Sequence, residues 1–192
     1  MNLFYLHKHE RTCAESHCDK HVVKMIIEYA QLLSTAHRVL DGAETEILWN
    51  GRRKKIWVLP DDPPFYVATH VNHPCAIWVR QSRENYRFLC RLWIFLCAEY
   101  EHRYGRFHAT FARLQRDLPY PPKNIPEGEF TEPPACMPDE YKVDDVVTSY
   151  QNLYVGDKVR FARWTNRTPP EWFSARVKDY NESDFTRTRK VA

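Results

Sequence analysis

Glycine is scarce in this chain, five residues in 192, which argues against a sheet built on successive tight hairpins. Glycine-rich phosphate loops and dinucleotide fingerprints are absent as well. Net charge is small, +3 from 28 Lys and Arg against 25 Asp and Glu, so no single sign dominates. That many charges still leave room for local basic patches able to meet an anionic polymer. No apolar run reaches the length of a membrane span, and the start MNLFYLHKHERTC lacks the basic-then-apolar order of a signal peptide. No membrane partner is therefore expected, and a cytoplasmic location is. In that setting the six cysteines, at 13, 18, 75, 90, 97 and 136, read as reduced thiols. With neither a CxxC pair nor an HExxH motif, the chain carries no standard zinc finger and no zincin helix.

What the chain has instead is apolar bulk, 43% hydrophobic with 14% aromatic residues, enough for a substantial core. It also has one unusual helix. At 100° per residue, His21, Lys24, Glu28, Gln31 and Thr35 fall within a wedge of about 80°, and His17 extends it by a turn. Val22, Val23, Met25, Ile26, Ile27, Tyr29, Ala30, Leu32 and Leu33 cover the rest. An ordinary surface helix is apolar over little more than a third of its circumference, so this one is expected to have protein on most sides. Its polar wedge then faces a thin strip of solvent or a cleft. His, Lys, Glu and Gln in line supply groups for proton transfer and polar-ligand binding. The alternative is a solvated stripe carrying an i,i+4 Lys24–Glu28 pair.

The coarse pattern predicts an all-α fold: a compact single-domain helical bundle over 1–173, with three long helices and Pro-rich connecting arms. The first long helix runs from about Asp19 to Arg38, with Gly42 as its stop. The second starts at Pro74, which suits a first helical turn, and continues unbroken to Gly105. The third occupies Val143 to Trp164, either whole or broken near Gly156, and a shorter helix lies over His108 to Arg116. Residues 2–6 read as an extended segment or anchored arm. Residues 43–65, with basic GRRKK between Trp49 and Trp57, read as an insertion, a loop or short hairpin. The stretch 117–140 reads as an arm, since seven of the thirteen prolines fall within 119–138. The polar segment 174–192 reads as a loosely held tail.

Three constellations could carry chemistry. His and Cys are dense at His7, His9, Cys13, His17, Cys18 and His21 and again at His70, His73 and Cys75. A metal-dependent enzyme using His17, His21, His70 and His73 is one reading, although no ligand set can be assembled from the spacing and no cofactor is called for. Cys18, at a helix start beside Lys20 and His21, could have a lowered pKa. The segment YQNLYVGDKVRFARW interleaves Tyr150, Tyr154 and Trp164 with Lys158, Arg160 and Arg163. Such surfaces grip phosphates and stack on unpaired bases; the other reading is an amphipathic helix with core aromatics and solvated charges.

Three separated segments carry a resemblance. KHVVKMIIEYAQLL (20–33) resembles the first catalytic helix of the endonuclease V type pyrimidine-dimer DNA glycosylases of phages, with His21 and Glu28 at the positions of that helix's His and catalytic Glu. THVNHPCAIWV (69–79) is similar to the His-led start of that family's central helix, and YQNLYVGDKVRFARW to its lysine-containing aromatic C-terminal segment. CDKHVVKM, NHPCAIW and MPDEYKVDD together look like a phage and bacterial group without an assigned activity, a distant branch of that family.

The resemblance implies base excision from double-stranded DNA carrying a damaged or modified pyrimidine, by base flipping, attack of an amine on the sugar C1′ and strand cleavage by β-elimination. Glu28 would assist the sugar chemistry and His21 would position substrate or touch phosphate, with Lys24 on the same stripe. The family's nucleophile is the α-amine of a small residue exposed when the initiator Met is removed. Asn2 is a poor second residue for that removal, so the amine would be that of Met1, or of Lys20 or Lys24, or the lyase chemistry would be absent. His17, Gln31, His70, His73, Tyr150, Tyr154, Lys158, Arg160 and Arg163 would contact DNA. A phage-encoded member would act in the host cytoplasm. A non-catalytic DNA-binding protein is the alternative.

Overall fold

The computed structural model describes residues 2–60 and 63–177. Met1 and most of the expected polar tail lie outside the described residues. The elements are α1 (Glu10–Ser16), α2 (Asp19–Asp41), β1 (Ala43–Trp49), β2 (Arg52–Val58), α3 (Pro74–Gln81), α4 (Arg83–Tyr104), α5 (Ala109–Leu114) and α6 (Val146–Leu153). A 3-10 turn at Asp139–Tyr141 precedes α6, a π turn at Tyr154–Lys158 follows it, and residues 171–177 are helical. The fold is mostly helical but not purely α, because β1 and β2 form a two-stranded antiparallel sheet.

Helix α2 is the axis of the molecule. It packs against α3, α4 and α5, while α1 lies on α4. Met25, Ile26, Tyr29, Leu32 and Leu33 are fully or almost fully buried. Trp93 of α4, also fully buried, donates its indole N–H to the Ile26 carbonyl at 3.1 Å, so the largest core side chain has its one polar atom satisfied. At the far end of α4 the buried Arg103 bonds Glu99 at 2.7 Å and Asp19 at 2.9 Å, and Arg167 approaches the same Glu99 at 2.6 Å. This network ties the start of α2 to the end of α4 and to the segment before 171–177.

Of the three expected long helices only the first, α2, runs as expected; α4 is long but covers only part of the second. The stretch from Pro74 to Gly105 is broken at Ser82, whose backbone is extended (φ −149°, ψ 156°) and whose hydroxyl caps α4 by accepting the Asn85 N–H at 3.1 Å. Glu84 in the first turn favours the same restart. Gly105, at φ 66°, ends α4 where a side chain would be strained. The helix expected over Val143 to Trp164 begins at Val146, capped by Asp145, and gives way to the π turn after Leu153.

The hairpin turns at Asn50-Gly51, both at positive φ (50° and 74°), the pair that a two-residue type I′ turn requires. Every residue of β1 is exposed, and so is most of β2. The hairpin is therefore an appendage held by cross-strand pairs such as Glu44–Lys55 at 2.6 Å. The proline-rich arm is pinned to the helical body: Thr131 bonds Asn85 and Trp78, and Arg83 N–H donates to the Pro126 carbonyl. No helix among the described residues is long and apolar enough to cross a membrane.

Candidate functional site

The amino-terminal segment is an extended strap buried against α2 and α6, with Leu3, Phe4, Tyr5 and Leu6 all in the core. Alternate backbone amides point the same way, as period-two geometry requires. Asn2 N–H donates to Glu28 Oε2 at 3.1 Å, Phe4 N–H to the Tyr29 hydroxyl at 3.1 Å, and Leu6 N–H to Cys13 Sγ at 3.4 Å. The other Glu28 oxygen pairs with Lys24 Nζ at 3.1 Å; the Glu28 side chain is 15% exposed and that of Lys24 68%. Glu28 is thus a carboxylate sunk to the edge of solvent and held from two sides.

Asn2 connects this carboxylate to a sulfur-rich cluster. Its Oδ1 lies 3.2 Å from the Tyr150 hydroxyl and 3.8 Å from Cys75 Sγ, and its Nδ2 donates to the Cys136 carbonyl at 3.0 Å. Cys75 Sγ is 3.7 Å from Cys136 Sγ. His73, the N-cap of α3, brings a ring nitrogen close to both, so that the three ligand atoms lie within 4.8 Å of one another. The thiol of Cys75 donates to Cys136, which draws the Cys136 pKa below and pushes the Cys75 pKa above the usual thiol value.

The other polar residues of the α2 stripe are internal. His17 is fully buried with its ring nitrogens 2.7 Å from the Cys13 carbonyl and 2.8 Å from the Tyr29 hydroxyl, and burial lowers its pKa to about 4. It is a core group with no face open to a duplex, which corrects the expectation of a DNA contact. His21 stacks on Phe4 at 4.2 Å, and its Nδ1 bonds the Tyr154 hydroxyl. Burial, followed by the charges of His17, Lys158 and Lys24, lowers its pKa to about 2, so it is neutral and offers phosphate no cation. Thr35 is buried too, while Gln31 is partly exposed.

Tyr150 and Tyr154 are also fully buried, which corrects the expectation that they stack on bases; both rings pack around the strap. The four histidines considered as a metal set are not gathered: His17 and His21 are bonded in the core, and His70 is exposed with Nδ1 2.8 Å from Thr69 Oγ1. Among the described residues, the one group of three or more possible ligands is His73 with Cys75 and Cys136. Burial raises the pKa of the Cys18 thiol, against the expected lowering. Met1 lies outside the described residues.

Basic side chains gather toward the start of α2, where Asp19 N–H bonds the Arg163 carbonyl. Lys20 Nζ sits 4.7 Å over the Phe161 ring and the Arg160 guanidinium 5.7 Å from the same ring. Lys20, Lys24, Arg160 and Arg163 are exposed, whereas Lys158 is only 20% exposed and pairs with Asp157. Between them α2 presents Val23 and Ile27 to solvent. Clefts suited to small molecules open elsewhere, one of about 430 Å³ between His37, Phe65 and Tyr120 and one of about 390 Å³ beneath the hairpin at Trp57 and Val67; Glu28 lines neither. Sequence reasoning gave neither Asn2 nor Cys136 a place in the site, since nothing local marks either residue for one. Compared with protein-family models, with curated proteins and with solved structures, the chain matches none.

Proposed function

We propose that the protein is a DNA-processing enzyme, a glycosylase acting on a damaged or modified pyrimidine in duplex DNA, with Glu28 as its central carboxylate. The observation that carries this reading is the setting of Glu28: a carboxylate at the solvent edge, held by the Asn2 amide and the Lys24 ammonium, on a helix whose start lies among exposed basic residues. A negative charge so placed can oppose the positive charge that grows on C1′ as the base departs, and can take a proton from an attacking amine. In that step the C1′–N bond breaks with its electron pair going to the base, which is then protonated, while the amine nitrogen bonds C1′. Opening of the sugar ring leaves an imine. Lys24, in contact with Glu28, is the described amine best placed for this role, and Lys20 lies one turn away on the same helix.

Those basic residues supply the phosphate contacts that hold a bent duplex, and the target nucleotide swings out toward Glu28. The test is borohydride reduction of the full chain incubated with duplexes bearing a panel of damaged and hypermodified pyrimidines, with peptide mass mapping of any adduct. Base release with a covalent adduct supports the amine mechanism, and base release without one supports the glycosylase with water as nucleophile. Tight binding with no base release on any duplex would replace the proposal with a non-catalytic DNA-binding protein.

A further inference from the structure

The His73, Cys75 and Cys136 cluster is built by parts of the chain that have little reason to meet otherwise. His73 and Cys75 stand on the first turn of α3, separated by the Pro74 that fixes the helix start. Cys136 comes from the end of the proline-rich arm, 61 residues later. Its backbone is held closely: the N–H bonds the Pro134 carbonyl at 2.9 Å, and the carbonyl accepts from Asn2 at 3.0 Å.

We infer that His73, Cys75 and Cys136 form a zinc site, two thiolates and one imidazole, with the fourth position left to water or substrate. Two sulfurs on a tetrahedral zinc at about 2.3 Å stand roughly 3.8 Å apart, and the two here are 3.7 Å apart. Thiols in simple contact would show the same separation; the imidazole lying within 4.8 Å of both makes it a ligand set. Two thiolates and an imidazole favour zinc over the hard cations, which select oxygen. Asn2 Oδ1 lies 3.8 Å from Cys75 Sγ, and the Tyr150 hydroxyl accepts the Cys136 backbone N–H at 3.4 Å, so polar neighbours of the kind such a site needs are in place. Three protein ligands are the number found where zinc keeps an open position, and Asn2 places that centre one residue from Glu28.

Metal content is read without DNA, so this inference stands or falls separately from the glycosylase reading. The full chain, expressed with zinc and passed through gel filtration, is analysed for bound metal and for thiols reactive in denaturant. About one zinc per chain is expected, lost in Cys136→Ser and in His73→Ala and retained in the core control Cys97→Ser, with thermal melts confirming that each variant folds. Cobalt loading should give a thiolate-to-metal charge-transfer band that weakens in Cys136→Ser. No metal with all six thiols reactive would overturn the inference, as would no metal with two thiols missing until reductant is added, which would mark a Cys75–Cys136 disulfide instead. Zinc that survives both ligand substitutions in folded protein would also overturn it.

Discussion

His21 and Glu28 stand two turns apart on one stripe of α2 and end in opposite surroundings. The first half of the helix is covered by the amino-terminal strap and by the π turn after α6, so His21 lies between Phe4 and Tyr154, neutral and cut off from water. Glu28 lies opposite Asn2 and keeps part of its side chain in solvent beside Lys24. The two residues share residue-type logic and helical phase. What separates them is which segments from elsewhere in the chain lie over each turn.

The sharpest consequence is a dependence on pH. His17, His21 and His37 are held neutral, with pKa values lowered to about 4, 2 and 4, burial being the leading cause in each case. Below about pH 6.5 the unfolded chain takes up protons that the folded chain refuses, so the stability these groups contribute is complete above 6.5 and is lost as pH falls toward the folded values. Each contributes a slope of up to about 1.4 kcal/mol per pH unit. Urea unfolding followed from pH 8 to pH 5 should show a flat upper range and a steep fall below 6.5. An equally stable protein at pH 5 would break the buried side of the comparison.

A smaller effect is expected from Tyr154→Phe, which removes the hydroxyl from His21 Nδ1 and leaves a buried polar atom bare. The cost should be about 1–3 kcal/mol, read as a shift in the urea midpoint, with DNA affinity unchanged. Smaller still in free energy, replacing Lys20, Arg160 and Arg163 with Ala should leave stability within about 0.5 kcal/mol per site. The same substitutions should lower the salt slope of DNA binding by up to about 0.9 for each phosphate that is no longer neutralised. A changed midpoint with an unchanged slope would mean that these side chains support the fold and not a nucleic acid.

The limits of α2 were legible because the stripe and Gly42 mark them, and the helix runs to Asp41, close to the expected Arg38. The Ser82 break was also written in the chain, as a capping serine with Glu84 and Asn85 behind it, but the apolar spacing on either side hid it. The hairpin stood only as one of two readings of 43–65, a loop or a short hairpin, because strand recognition relies on apolar alternation and a mostly exposed ribbon offers little of it; its Asn50-Gly51 turn was the signal that could have decided. Burial of His17, Tyr150 and Tyr154 could not be read from α2 or α6 alone, since it depends on the strap threading between them. The meeting of Cys75 with Cys136 is of the same kind, fixed by an arm whose path no local pattern specifies.

On the proposed function Glu28 is the working carboxylate and His21 a packing group. The most direct test compares Glu28→Gln with wild type on a duplex that the wild-type protein processes, measuring DNA affinity and single-turnover rate after confirming the fold by its thermal melt. Affinity and fold should hold, while the rate falls by about 10² or more, the usual cost of a lost acid–base group. A Gln variant that turns over within a few-fold of wild type would contradict the account, leaving Glu28 as a structural partner of Asn2 and Lys24.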